Sequence, residues 1–238
     1  MCKPVLSHGW DLSIPEARAL QEELRARVID EDSFLLPPSA PTGPQLGDPV
    51  RLVAGADISY NKHDPTLFAA VVVLDARTLE VVETRSVTRE ATFPYVPGYL
   101  SFRELPPVLE AFAALSRRPD LVICDGQGMA HPRRFGLACH LGVLLDLPAV
   151  GCGKTRLIGS HREPGERRGS SCQLLDGGEV IGRVVRTRTG VKPVYVSVGH
   201  RIGLDSACRW VLRTAARYRI PEPVRAAHVT VNKLRASA

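Results

Sequence analysis

The chain has 238 residues, 44% hydrophobic and 24% charged, with a formal net charge of +6. That apolar fraction supports one sizeable core and excludes a globally disordered chain. No run of 18 uncharged apolar residues is present, which excludes a bilayer-spanning helix. The amino terminus lacks the apolar stretch of a secretory signal, so a cytoplasmic location is expected. Cys2, Cys124, Cys139, Cys152, Cys172 and Cys208 form no CxxC pair. They read as reduced thiols, neither a disulfide frame nor a zinc site.

Charge is unevenly distributed. Residues 1–116 carry 10 Lys/Arg against 16 Asp/Glu, whereas residues 117–238 carry 21 against 9. A half-chain this basic is a candidate surface for a polyanion, with nucleic acid first in line. A solubilising surface is the equally weighted alternative. The only lysines are Lys3, Lys62, Lys154, Lys192 and Lys233, so a lysine inside a tight motif stands out.

The first predicted element is a helix. Ser13-Ile14-Pro15-Glu16 has the form of a capping box, and Ala17, Leu20, Leu24 and Val28 follow at helical spacing. Residues 33–49 are rich in proline and glycine and read as a linker. This divides the chain into a preface, 1–49, and a domain, 50–238. Val50–Ser59, Leu67–Asp75 and Leu79–Thr88 read as three consecutive strands. The continuously apolar middle run should be buried on both faces. Helical character returns at Leu105–Leu115, with a start near Pro106. A short strand, Leu121–Asp125, a helix, Phe135–Leu145, and a strand, Ala149–Cys152, come next. Glu179–Arg186 and Pro193–Ser197 read as later strands and Asp205–Arg217 as the final helix. Three meandering strands followed by α/β alternation is the order of a ribonuclease H-like α/β fold, a mixed central sheet flanked by helices.

Asp57 and Asp125 each stand at the exit of an apolar run, where open α/β sheets place their sites. Aspartate also simply terminates strands. Two of them on adjacent strands tip the balance toward a shared cation, and Mg²⁺ suits hard oxygen ligands. Glu104 offers a third carboxylate or, with Ser101, a local helix cap. In Pro94-Tyr95-Val96-Pro97-Gly98 two prolines stiffen an aromatic that is either a rigid wedge for base stacks or a packed turn residue. Gly126, Gln127 and Gly128 permit close backbone approach. His131 is a candidate acid/base or water-positioning group, and Arg133-Arg134 are candidate phosphate donors. Gly151-Cys152-Gly153-Lys154-Thr155 suggests a phosphate loop, but position 148 is Pro where that motif needs Gly, and no helix follows. Nucleotide hydrolysis is therefore excluded, and Lys154 is left as a point charge for a scissile phosphate. Arg183, Arg186, Arg188 and Lys192 are further candidate phosphate contacts.

Together these residues resemble the endonuclease V family of deoxyinosine-specific repair nucleases. The resemblance rests on Ala54-Gly55-Ala56-Asp57, Pro94–Gly98, Ser101-Phe102-Arg103-Glu104, Asp125-Gly126-Gln127-Gly128 with His131-Pro132-Arg133-Arg134, Gly153-Lys154, Gly199-His200-Arg201 and Pro221–His228. It implies that Asp57, Glu104 and Asp125 are metal carboxylates, that His228 contributes near the metal, and that His131 and Lys154 support the chemistry. Tyr95 would be the wedge, with Pro94, Val96, Pro97, Gly98, Gly126, Gln127, Gly128 and Arg133 around the substrate. Gln127 departs from the His familiar in some relatives.

The implied reaction is Mg²⁺-dependent hydrolysis, with Mn²⁺ as a substitute, of the second phosphodiester bond 3′ to a deoxyinosine. Single- or double-stranded DNA is the implied partner and a monomer the implied state. An inosine-directed ribonuclease and a non-catalytic nucleic-acid-binding protein of the same fold are the alternatives.

Overall fold

The computed structural model describes residues 2–33, 50–61 and 64–238. Apart from Ser33, the expected linker 33–49 lies outside the described residues. The predicted first helix is present as α1, Ile14–Arg25, and its capping box is complete: Ser13 Oγ accepts from the Glu16 N–H while Glu16 reaches back to the Ser13 N–H. Leu24, Leu20 and Val28 then bury against Phe135, Cys139 and Val143.

The three meandering strands are β1, Leu52–Tyr60, β2, Thr66–Asp75, and β3, Val81–Glu90, paired antiparallel in sequence. Asp75 shapes the turn between β2 and β3, because its Oδ1 accepts from the N–H groups of Arg77 and Thr78, both at 2.8 Å. Leu79 then takes a left-handed φ of 60°, so β3 begins at Val81 and not at Leu79. Leu67–Leu74 of β2 are buried without a break, as the unbroken apolar run requires.

The alternating half follows. It comprises α2, Leu100–Ala113, β4, Leu121–Cys124, α3, Leu137–Leu145, and β5, Ala149–Gly153. Then come β6, Ser171–Asp176, β7, Glu179–Val185, β8, Val194–His200, α4, Leu204–Thr214, and α5, Glu222–Ala236. Among the described residues, the eight strands make one mixed sheet in the order β3-β2-β1-β4-β5-β8-β7-β6, and β4 lies parallel to both β1 and β5. This is the expected ribonuclease H-like architecture. No helix is long and apolar enough to cross a membrane among the described residues.

Strand alternation sorts the core into two layers. Ala54, Ala56, Val122 and Cys124 face α2 and α3, through Leu105, Val108, Phe112 and Leu141. Val53, Leu121, Ile123, Val150 and Cys152 face α4 and α5, through Trp210, Val211, Val224 and Ala227. Fully burying one such aliphatic side chain is worth about 1.5–3 kcal/mol, so both layers bind the sheet firmly.

Three features differ from expectation. Helix α2 starts at Leu100, not near Pro106, and carries Pro106 and Pro107 in its interior. Each removes an N–H that would serve the helix, but both rings are buried with Leu105 and Val108, and that packing holds the helix together. Ser101 therefore does not cap: the N-cap is Tyr99, without a side-chain bond. Strand β6 is additional, and α5 continues the helices beyond Asp205–Arg217. Its start is nonetheless marked by Pro221-Glu222-Pro223, and its buried face by Val224, Ala227 and Val231.

Candidate active site

Register brings the two aspartates together. The last aligned pair of the parallel β1–β4 ladder is Ala56 with Cys124, so Asp57 and Asp125 are the next residues side by side. Asp57 lies inside β1, which continues to Tyr60, while Asp125 directly follows β4. Helix α5 crosses this point because Gly55 lets it in: a Cβ there would collide with the Pro223 carbonyl.

That approach delivers His228, whose Nδ1 lies 2.7 Å from Asp57 Oδ2. Asn232, one turn on, donates from Nδ2 to His228 Nε2 at 3.0 Å, and Ser59 Oγ donates to Asn232 Oδ1 at 3.1 Å. The chain of donors makes His228 Nε2 an acceptor and its Nδ1–H the donor to Asp57. Sequence reading missed Asn232, although its place four residues after a site histidine on a helix was a usable signal.

One ligand atom from each of Asp57, Asp125 and His228 lies within 4.8 Å of the others. Burial, and then the Asp125 charge, hold the Asp57 carboxyl above its ordinary range against the opposing pull of His228. Glu104 enters from α2 and is partly buried. Desolvation first, then the charges of Asp57 and Asp125, push its carboxyl up to about 8. Lys154, just past β5, sets its Nζ 2.5 Å from Asp125 Oδ2. Arg219 anchors that turn by donating to the Lys154 carbonyl at 2.6 Å. Crowded carboxylates, an imidazole and an ammonium define a centre that a hard divalent cation fits: the donors are oxygen-rich, and such an ion removes the repulsion that raises Glu104.

Beside this centre lies a cavity of about 230 Å³. Tyr95, Pro97, Gly98, Leu100, Ser101 and Glu104 line one side; Asp125, Gly126, Gln127, His131 and Thr155 line another. Tyr95 is 58% exposed at its mouth. Pro94 is exposed too, whereas Val96 packs against the cluster of Phe93, Tyr99 and Phe102. The loop is tied down through the Gly98 carbonyl, which accepts from Gln21 Nε2 and His131 Nε2, each at 3.1 Å, and from Arg133 Nη2 at 2.5 Å.

His131 is 4% exposed, and its Nδ1 accepts from the Arg133 N–H at 3.3 Å. Burial, helped by Arg133, pulls this imidazole down to about 4. It is neutral at pH 7 with both nitrogens engaged, in the position of a loop anchor. The expected phosphate donors are likewise turned inward. Arg133 stacks 4.1 Å from the Tyr99 centroid and bonds Gln21, and Arg134 pairs with Asp176 and Glu179. Arg186 is 7% exposed and holds the Gly165, Pro164 and Val191 carbonyls, so burial corrects its reading as a phosphate contact. Arg183 pairs with Asp205, and Arg188 donates to the Arg217 carbonyl.

The glycines next to Asp125 differ in kind. A Cβ at Gly128 would strike the Val198 carbonyl, and its N–H bonds Ser197 Oγ, so this glycine serves packing. A Cβ at Gly126 meets only Leu137 Cβ, at 3.8 Å, and its absence leaves room in the cavity. Gly126→Ala is therefore expected to melt within a few degrees of the unaltered chain yet bind a cavity ligand at least about tenfold more weakly. Calorimetry paired with a binding titration checks both, and unchanged affinity would disprove the cavity's role. Gln127 donates from Nε2 to the Thr155 carbonyl, leaving Oε1 buried and without a partner.

Paired carboxylates on adjacent parallel strands of a ribonuclease H-like sheet, beside a ligand-sized cavity, define a nuclease. The chain belongs to the endonuclease V family, whose model matches residues 39–229. It is 50% identical over 218 residues to endonuclease V of Roseiflexus sp. strain RS-1, covering 92% of this chain and 91% of that one. The crystal structure of endonuclease V from Streptomyces avermitilis superposes with a TM-score of 0.87 at 47% identity, covering 98% of each chain. Endonuclease V of Ciona intestinalis, crystallised with a 24mer DNA containing an inosine followed by a ribo-adenosine, gives a TM-score of 0.79 at 27% identity. That match covers 94% of this chain and 98% of the other.

Proposed function

We propose that the chain cuts DNA at deoxyinosine, hydrolysing the second phosphodiester bond 3′ to the lesion and leaving 3′-hydroxyl and 5′-phosphate ends. The observation that carries this reading is the side-by-side pair Asp57 and Asp125 opening onto the cavity beneath Tyr95. Asp57, Asp125 and Glu104 are the residues that would hold Mg²⁺, or Mn²⁺ in its place. When bound, the ion supplies Lewis-acid polarisation of the phosphate and stabilises the developing negative charge.

His228 orients Asp57 through its Nδ1–H, with Asn232 fixing the ring. Lys154 brings a positive charge to Asp125 and to the phosphate oxygens as their charge grows. Tyr95, stiffened by Pro94 and Pro97, wedges into the base stack while the displaced base enters the cavity. His131, Gln21 and Arg133 keep Gly98 and that loop in place. Because no side chain caps α2, its first N–H groups and positive end serve a carbonyl oxygen in the cavity. In this reading residues 50–238 are the catalytic domain, residues 1–49 precede it, and the chain acts as a monomer.

The test is cleavage of labelled inosine and adenine strands, in DNA and in RNA, with Mg²⁺ and with EDTA. Expected is inosine-dependent cutting of DNA, one nucleotide beyond the lesion's own 3′ bond, that EDTA abolishes. Faster cutting of inosine RNA would reassign the substrate, and metal-independent cutting would overturn the mechanism. Tyr95→Ala should lower the preference for inosine in duplex by about tenfold or more, as loss of one stacking contact implies. An unaltered preference would refute the wedge.

A further inference from the structure

A buried chain of hydrogen bonds runs from the amino-terminal segment to the cavity. His8 Nδ1 lies 2.6 Å from the Gly9 carbonyl, His8 Nε2 lies 2.8 Å from His140 Nε2, and His140 Nδ1 lies 3.0 Å from Ser101 Oγ. His140 is fully buried, with Trp10, Phe102 and Phe135 packed around its ring. Ser101 is 3% exposed and lines the cavity.

The direction of every bond in this chain follows from its first member. A carbonyl only accepts, so His8 Nδ1 carries the hydrogen. Burial holds both imidazoles below their ordinary range, His140 far below, so each ring is neutral and has one N–H. His8 Nε2 is then an acceptor, His140 Nε2–H must donate to it, and His140 Nδ1 is left as an acceptor. The Ser101 hydroxyl must therefore donate to His140, which leaves its oxygen lone pairs as acceptors at the cavity wall. The same residue's N–H belongs to the uncapped first turn of α2. Ser101 thus offers an acceptor next to a backbone donor.

Hypoxanthine presents the complement, a C6 carbonyl beside an N1–H, whereas adenine presents an amino donor beside a bare N1. We infer that Ser101 selects the lactam edge of hypoxanthine against adenine, and that His8, away from the cavity, sets the polarity of Ser101 through His140. This rests on the deoxyinosine reading above and adds to it the residue that discriminates.

The experiment compares kcat/KM on strands carrying hypoxanthine, adenine, or 1-deazahypoxanthine, in which C–H replaces the N1–H. The unaltered chain should lose about tenfold on the deaza base, one buried hydrogen bond. Ser101→Ala should be slower on hypoxanthine and nearly indifferent to the deaza change, and Ser101→Thr, which keeps the hydroxyl, should restore the dependence. His8→Phe keeps the ring stack but frees His140 to move its hydrogen to Nδ1, so Ser101 can turn its own hydrogen to the cavity. The deaza penalty should fall in this variant too, although no cavity residue has changed. If His8→Phe does not fold, the Ser101 pair still decides.

A full tenfold deaza penalty in Ser101→Ala would overturn the inference, as would no penalty in the unaltered chain while inosine is still preferred over adenine. An unaltered chain that does not prefer inosine at all would overturn the deoxyinosine reading and this inference with it.

Discussion

Asp125→Ala is expected to slow cleavage of an inosine strand by about a thousandfold or more, the scale on which removing a principal charge-stabilising group acts. Asp125 is the meeting point of the centre: it lies beside Asp57 by strand register, shares the cation-sized cluster with His228, and holds Lys154 at 2.5 Å. Its removal should not weaken substrate binding. A negative charge facing phosphate disappears, and the Lys154 ammonium is released toward the nucleic acid. Retained or tighter affinity, measured by fluorescence anisotropy, together with lost cutting is the expected pair of results. Cutting at the rate of the unaltered chain would show that the metal carboxylates have been misassigned.

Glu104→Gln should inactivate the enzyme and stabilise the protein. A carboxyl that sits near 8 in the folded state binds its proton more tightly there than in the unfolded chain. Its folded-state contribution is therefore intact below the ordinary glutamate range and declines as pH rises from that range to about 8. At neutral pH the ionised form is opposed by burial and by Asp57 and Asp125. An uncharged amide of the same shape removes that opposition, with a gain on the order of a few kcal/mol. For a chain of this length each kcal/mol raises Tm by about 2–4 °C.

Melting curves without metal should show the variant well above the unaltered protein at pH 8, with the gap closing toward pH 4.5. Adding Mg²⁺ should then raise the Tm of the unaltered protein more than that of the variant, since a cation favours the folded state only to the extent that it binds there. Equal Tm values at pH 8 would mean that Glu104 is not electrostatically crowded by its neighbours. A site residue that destabilises its own fold is the usual signature of function set against stability.

The parts legible in the chain were those governed by short-range patterns. The capping box at Ser13–Glu16 announces α1, the unbroken Leu67–Leu74 run announces a strand buried on both faces, and Asp75 marks the turn after it. Strand β6 was not legible because it lies at the edge of the sheet, where only Leu174 is buried and polar residues interrupt the apolar pattern. The start of α2 was misplaced because Pro106 and Pro107 ordinarily mark a helix start, and only core packing tolerates them inside.

At the site, aspartates ending apolar runs, a proline-stiffened tyrosine and a lone lysine in a glycine-rich turn identified the residues but not their arrangement. Arg133, Arg134 and Arg186 show the limit, since a guanidinium that will face phosphate and one that will clasp carbonyls look alike in a sequence.

The sequence by itself determined the class of chemistry, because carboxylate, imidazole and ammonium groups are properties of residue types and do not depend on folding. Only the tertiary structure decided how those groups act on one another. The β1–β4 register set Asp57 beside Asp125, and the missing Cβ of Gly55 admitted α5 with His228 and Asn232. The His8–His140–Ser101 chain assigned direction to a hydroxyl 93 positions away along the backbone. Proton affinities and hydrogen-bond polarities depend on distance and burial, and those exist only once residues remote in sequence are brought into contact.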